Sequence, residues 1–264
     1  MNIRTSVSRA GLAGCLCLVA TVAFAQATAT QKTYEPKVGQ SGKDVVWVPT
    51  PQELVNKMLD MAKVTAQDYV MDLGSGDGRT VITAAKRGAT AVGIEYNPDM
   101  VELSKRNAEK EGVTAKASFM KADLFETDLS KATVITMFLL PDINMKLRPK
   151  ILNLKPGTRV VSNSFTMEDW EDDATETVSG ECTSWCTAHF WVVPAKVEGS
   201  WQTPQGELKL TQTFQNVKGT LGSQAVEGHL VGEQLTLTSA GKNVFTGKVN
   251  GNTIQGSAWS ATRR

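Results

Sequence analysis

The chain has 264 residues, 41% hydrophobic and 21% charged, with a formal net charge of +1. That is the composition of a soluble globular protein with one large domain or two ordinary ones. The near-neutral balance supplies no basic field, so nucleic acid is not an expected partner.

Residues 1–25 read as a signal peptide. Arg4 and Arg9 precede an apolar run from Gly11 to Phe24, and Ala23-Phe24-Ala25 has the small-x-small form of a cleavage site. The run is shorter than the about 20 residues a permanent helical span needs, so no membrane span is expected in the mature chain. Cleavage removes two arginines, taking Lys plus Arg from 28 to 26 against 27 acids. The expected location is periplasmic or secreted. Two alternatives stay open. Leu12-Ala13-Gly14-Cys15 has the form of a lipid-attachment signal, although Arg9 leaves little apolar chain ahead of Cys15. The absence of acids before Glu35 fits a mitochondrial presequence, against which the uninterrupted apolar run argues.

Residues 26–44 are polar, with Pro36, Gly39 and Gly42, and read as a flexible lead-in. An extended apolar segment from Val45 ends at Pro49-Thr50-Pro51. Thr50 and Pro51 then suit the N-cap and first turn of a helix over 52–62 whose apolar face carries Leu54, Val55, Met58 and Leu59.

The most informative stretch follows. Tyr69–Leu73 is an apolar run that ends in Gly74-Ser75-Gly76-Asp77-Gly78-Arg79, after which Thr80–Arg87 has helical character. Strand, tight glycine loop and helix in that order form an α/β nucleotide-type site. A dinucleotide fingerprint wants its third glycine where Arg79 stands, and Asp72 and Asp77 would repel a pyrophosphate. The loop therefore suits a cationic ligand. Ala91–Ile94 reads as the next strand, with Glu95 at its carboxyl end where a ribose-binding acid is expected.

Asp72-Leu73-Gly74-Ser75-Gly76-Asp77-Gly78 followed by Gly93-Ile94-Glu95-Tyr96-Asn97-Pro98 resembles the class I S-adenosylmethionine-dependent methyltransferases. Val48-Pro49-Thr50-Pro51, Phe138-Leu139-Leu140-Pro141 and Pro156–Val161 make it most similar to the branch containing the ATP synthase c-subunit lysine methyltransferases. The resemblance covers about residues 45–170. It implies a Rossmann-like seven-stranded sheet and S-adenosyl-L-methionine as cofactor. It also implies a cofactor site built from Asp72, Gly74, Ser75, Gly76, Asp77 and Gly78, then Glu95, Tyr96 and Asn97, then Asp123 and Leu124. Within it, Asp72 is expected at the ammonium end of the methionine, Glu95 at the ribose diol and Asp123 at the adenine. Pro49 and Thr50 are placed beside the cofactor and the acceptor entrance.

A helix from Pro98 to about Lys110 is closed by Gly112, and Ala115–Met120 reads as the third strand. Asp123 also suits a cap on the short turn after it. Ala132–Phe138 is a near-continuous apolar run, as for a parallel strand buried on both faces. Phe138, Leu139, Leu140 and Pro141 then stand where α/β sheets place ligands, and form an apolar wall for a slender acceptor such as a lysine side chain. A nucleic-acid amino-methyltransferase would carry Asn-Pro-Pro-Tyr or a near relative there. A helix over 142–153, a strand over 158–164 and a strand pair over 176–181 and 187–193 complete the sheet. Trp170, Trp185 and Trp191 are read as covering its edge, with an aromatic acceptor cage as the alternative.

Cys182 and Cys186 are an even pair in an exported chain and are disulfide candidates, with free thiols or metal and redox chemistry as alternatives. No metal site is expected, because the only histidines are His189 and His229. After Pro194, short alternating runs separated by turn signals such as Asn250-Gly251 imply a small all-β antiparallel barrel or sandwich, read as an accessory module over 195–264. The methyltransferase domain is read as 45–194. The expected activity is methyl transfer to a protein lysine. The alternatives are a small-molecule methyltransferase and an exported, non-catalytic binding protein of the same fold. No residue is named as a catalytic base.

Overall fold

The computed structural model describes residues 1–2, 34–180 and 182–264. Apart from its first two residues, the expected signal peptide lies outside the described residues, as does the first part of the lead-in.

Alternation along the strands sorts side chains into two layers. In β1 (Tyr69–Leu73), Val70 faces one core while Met71 and Leu73 face the other. β4 (Val134–Met137) does the same with Val134 against Ile135 and Met137, so both strands read as continuous apolar runs. One layer holds α1 (Gln52–Met61), α2 (Arg79–Lys86) and α3 (Pro98–Lys110), which bury Leu54, Val55, Leu59, Val81 and Val101. The other holds α4 (Pro141–Ile151), through Ile143, Leu147 and Ile151.

β2 (Thr90–Glu95), β3 (Ala117–Lys121), β5 (Arg159–Asn163), β6 (Ala174–Thr177) and β7 (Thr187–Val192) complete a seven-stranded sheet of order β3-β2-β1-β4-β5-β7-β6. Its first five strands in that order are parallel, and β7 runs antiparallel to both neighbours. β1 lies between β2 and β4, so its carboxyl end opens beside theirs.

Three expectations shift. β6 ends at Thr177 rather than running to 181. Thr50 is not the cap of α1: Pro51 holds that position without a side-chain bond. The Thr50 hydroxyl instead accepts from Asn163 Nδ2 at 3.2 Å, and its carbonyl accepts from Arg79 at 2.9 Å. Residues 37–47, expected mostly as lead-in, form a short hairpin. Gly39 N–H donates to Trp47 O at 2.8 Å and Trp47 N–H to Gln40 O at 2.9 Å, with a bridge between Ser41 and Val46.

Eight antiparallel strands follow: β8 (Gly199–Thr203), β9 (Gly206–Thr213), β10 (Asn216–Leu221), β11 (Gln224–Val231), β12 (Gln234–Ser239), β13 (Lys242–Asn250), β14 (Thr253–Gly256) and β15 (Ser260–Arg263). They close into a barrel filled by Trp201, Leu208, Leu230, Leu235, Leu237 and Ile254. Closure leaves the barrel without an unpaired edge. Between β9 and β10, Phe214 reaches out and stacks on Trp170 with centroids 5.9 Å apart, and Gln215 Nε2 donates to Glu171 O at 2.8 Å. Trp170 and Trp191 are fully buried there, with Trp191 Nε1 donating to Trp170 O at 2.8 Å. No helix among the described residues is long and apolar enough to cross a membrane.

Candidate active site

At the carboxyl end of β1 the backbone turns through Gly74, Gly76 and Gly78 with φ of 77°, 54° and 82°. Only glycine adopts that region freely. A Cβ on Gly76 would also come within 2.6 Å of Trp47 Nε1. The loop is tied to β2 by Gly74 and Ser75 N–H groups donating to Ile94 O at 2.9 and 3.1 Å. Glu95 lies between two amides: its Oε2 accepts from Gly76 N–H at 3.0 Å and its Oε1 from Asn97 N–H at 2.9 Å.

The three carboxylates near the loop differ in their surroundings. Asp77 is gripped by Arg79, whose Nη2 lies 2.6 Å from Oδ2. The arginine that replaces the third glycine therefore neutralises one of the two acids flanking the loop and, through Thr50 O, fastens the loop to the entry of α1. Asp72 has no cationic partner among the described residues. Its Oδ1 accepts from Thr136 Oγ1 at 2.6 Å. Burial, reinforced by the Asp77 and Glu95 charges and opposed by the Thr136 hydrogen bond, pushes its carboxyl up to about 7.

A cavity opens over this loop. It gathers Asp72, Gly74, Ser75, Gly76, Asp77, Glu95, Tyr96, Asn97, Asp123 and Leu124 from the expected cofactor set, with Pro49, Thr50, Phe138 and Leu139 from the expected acceptor set. Gly78 is not in its wall. It caps α2 and lies against Phe119 and Ser104, where a Cβ would come within 2.7 and 2.9 Å of them. The buried Ser75 Oγ has no hydrogen-bond partner among the described residues and packs against Gly93, where a Cβ would come within 2.5 Å of it.

The hairpin forms a strap across this cavity. Lys43 Nζ lies 2.6 Å from Asp123 Oδ2 and 4.9 Å from the Tyr96 ring centroid. That hydrogen bond holds the Asp123 carboxyl below its usual range and raises Lys43. Asp123 Oδ1 also accepts from Phe125 N–H at 2.9 Å, the local capping role expected for it. Lys43 and Trp47 were not legible as site residues, because their partners lie far along the chain.

A second cavity shares Phe138, Leu139 and strap residues 41–46 with the first and adds Leu140, Phe165 and Trp185. Pro141 lines neither cavity, because it starts α4. Trp185 departs from the sheet-edge role: Trp170 and Trp191 cover the edge, whereas Trp185 stands at the cavity. Phe165 carried one signal, its position just past the carboxyl end of β5. Cys182 and Cys186, on either side of the segment carrying Trp185, are joined by a disulfide.

The ANTKMT methyltransferase domain model matches residues 72–174. An RNA methyltransferase from Salinibacter ruber, solved in complex with S-adenosyl-L-homocysteine, superposes with a TM-score of 0.53 at 45% identity, covering 57% of this chain and 96% of that one. A protein-lysine N-methyltransferase of Saccharolobus islandicus (strain REY15A) is 51% identical over 129 residues, 48% of this chain and 80% of the relative. The chain belongs to the S-adenosylmethionine-dependent methyltransferases. The methyltransferase is also 35% identical to the ATP synthase c-subunit lysine N-methyltransferase of Homo sapiens over 128 residues, spanning 54% of that relative. The family model ends at residue 174, well before the barrel.

The site fits the charge of this family's cofactor. The methyltransferase presents a buried carboxylate held by a hydroxyl alone, a second carboxylate fixed by two backbone amides, and a loop whose glycines leave room for close approach. A phosphate would face Asp72 and Glu95, whereas a sulfonium and an ammonium are attracted by both.

Proposed function

We propose that the protein transfers a methyl group from S-adenosylmethionine to the ε-amine of a lysine in a protein acceptor. The observation that carries this reading is the second cavity, contiguous with the first and walled by Phe138, Leu139 and Leu140. A lysine side chain is slender, apolar along its stem and charged at its tip, which suits such a wall. The names of the archaeal and human relatives support the same acceptor class.

When bound, the cofactor supplies an activated methyl group on sulfur. The protein's part is alignment and exclusion of water. In this reading Gly74 and Gly76 admit the cofactor to the backbone, Asp72 takes its ammonium, Glu95 its ribose diol and Asp123 its adenine amine. Tyr96, Asn97 and Leu124 frame the same cavity. A lysine amine with a pKa of about 10.4 costs about 4.6 kcal/mol to deprotonate at pH 7. Desolvation against Phe138–Leu140 disfavours the ammonium and offsets part of that cost.

RNA is the competing acceptor, favoured by the name of the Salinibacter protein. The formal charge of +1 and the apolar Phe138-Leu139-Leu140-Pro141 weigh against it. We read 45–194 as the methyltransferase domain, 195–264 as an accessory module, and the chain as exported. The Cys182–Cys186 disulfide supports export. Tritiated-methyl transfer to fractionated extract tests the acceptor. A labelled protein band supports the lysine reading. Label in a small molecule or in RNA reassigns the acceptor, and no label supports the non-catalytic alternative. Recovery of only full-length protein in the cytosolic fraction overturns export.

A further inference from the structure

We propose that Phe138, Phe165 and Trp185 form an aromatic cradle for the ammonium-bearing chain of the acceptor, and that the Cys182–Cys186 bridge keeps Trp185 in that cradle. The inference rests on the lysine-acceptor reading and adds the group that recognises the acceptor.

Three segments far apart in sequence bring the rings together. Phe138 follows β4, Phe165 follows β5, and Trp185 lies in the connection from β6 to β7. Their centroids are 6.0 Å apart for Phe138 and Phe165, 5.8 Å for Phe138 and Trp185, and 5.3 Å for Phe165 and Trp185. All three line the second cavity. None is fully buried, and Trp185 is 45% exposed. Leu140 at 44% and Val46 at 54% exposed rim the same opening. A cluster of large exposed apolar side chains around one cavity marks a place where something docks. Aromatic faces attract a lysine ammonium or its methylated forms, and the ring edges and Leu140 pack on its methylene stem. A neutral small acceptor gains nothing from the cationic part of that attraction.

The bridge enters through the backbone. Trp185 sits at φ 60°, a conformation uncommon for a bulky residue and kept only where its surroundings impose it. It immediately precedes Cys186, so the disulfide closes a five-residue ring around it. Cys186 O in turn accepts from Val178 N–H at 2.9 Å, which fixes one end of the ring just past β6. Reduction by a dithiol breaks the S–S bond and yields two cysteine thiols, while the dithiol becomes a disulfide. Trp185 is then held only by the Val178 hydrogen bond to Cys186 and by its contacts with Phe138 and Phe165, and its indole is expected to leave the cavity more readily.

The test is steady-state transfer from tritiated S-adenosylmethionine to poly-L-lysine, with cofactor affinity measured separately by calorimetry on the full chain. W185A is expected to raise KM for poly-L-lysine on the order of tenfold with kcat within about twofold and cofactor affinity unchanged, while W185F recovers most of the loss. Dithiothreitol is expected to raise KM of the wild type and leave that of W185A where it is. An unchanged KM in W185A overturns the cradle alone, and an equal response of wild type and W185A to dithiothreitol overturns the part assigned to the bridge. Wild type that binds S-adenosylmethionine yet labels no lysine overturns the acceptor reading and, with it, this inference.

Discussion

Asp72 is the group whose titration most directly tests the cofactor site. Its carboxyl stands at about 7 because it is buried beside two other acids with one hydroxyl as donor. In the unfolded chain an aspartate titrates near 3.9. Between those values the folded protein holds a proton that the unfolded chain has lost, so stability falls as pH rises, by about 1.4 kcal/mol per unit. The cost is absent below about pH 4 and complete above about pH 7, where it reaches on the order of 4 kcal/mol. Asp72→Asn keeps an oxygen for Thr136 and removes the charge. The variant is therefore expected to match the wild type near pH 4 and to exceed it progressively up to pH 7, in urea unfolding of the cofactor-free protein. Cofactor binding moves the opposite way. Its α-ammonium, with a pKa of about 7.7 to 8.0, stays charged from pH 5 to 7, and it draws on the ionised Asp72. Affinity of the wild type should then rise about tenfold per pH unit over that range, with release of close to one proton at pH 6. In Asp72→Asn affinity should be low and flat. A wild-type affinity that does not vary between pH 5 and 7 would refute the assignment of Asp72 to the cofactor ammonium.

Three further outcomes follow from the geometry. Gly76→Ala places a methyl against the Trp47 indole at a φ of 54°, so it should lower stability by about 1–2 kcal/mol and weaken S-adenosylmethionine binding by at least about tenfold; calorimetry matching the wild type would show that the loop tolerates a side chain. Glu95→Ala removes the acceptor for the Gly76 and Asn97 amides and should weaken cofactor binding, and unchanged affinity would remove Glu95 from the site. Phe214→Ala removes the ring that stacks on Trp170 and lies 5.1 Å from the Arg148 guanidinium, and should cost about 2–3 kcal/mol by urea unfolding; an unaltered midpoint would mean that the barrel contributes no docking energy through this residue.

The sheet and its glycine loop were legible because their signals are local. Continuous apolar runs at β1 and β4, positive-φ glycines between strand and helix, and an acid at the end of β2 each lie within a few residues of one another. The barrel was legible as alternating β structure, but β10 and β15 carry weak local signals. β10 carries Gly219 in mid-strand, where a Cβ would fall 1.8 Å from Lys209 O, and β15 is a short, largely polar run, Ser260–Arg263. β6 was misplaced because all four of its residues are exposed and offer no alternation. The site residues that escaped are held by distant partners. Lys43 meets Asp123 across 80 positions, and Thr50 meets Asn163 across 113. A hydroxyl engaged by Asn163 is lost to the N-cap, so the local rule for Thr50 yielded to a tertiary bond.

The contact between barrel and sheet bears on the site through the same edge that carries Trp185. Phe214 packs on Trp170, and Trp170 O accepts from the indole of Trp191 on β7. One residue from β6, Asp173 is anchored from two sides: its Oδ2 accepts from Val192 N–H at 2.7 Å, and His229 of the barrel lies 3.7 Å from Oδ1. β6 and β7 are the two strands whose connection contains the Cys182–Cys186 ring. β6 is the outermost strand, fully exposed in its side chains, and pairs with β7 alone. A strand with so little apolar burial gains little from the sheet itself, and the loop at its end inherits that weakness. The barrel supplies the missing contacts on one side, and the disulfide constrains the other end of the same hairpin. Both act on the element that positions Trp185, while the glycine loop, built on the central strands β1 and β2, depends on neither.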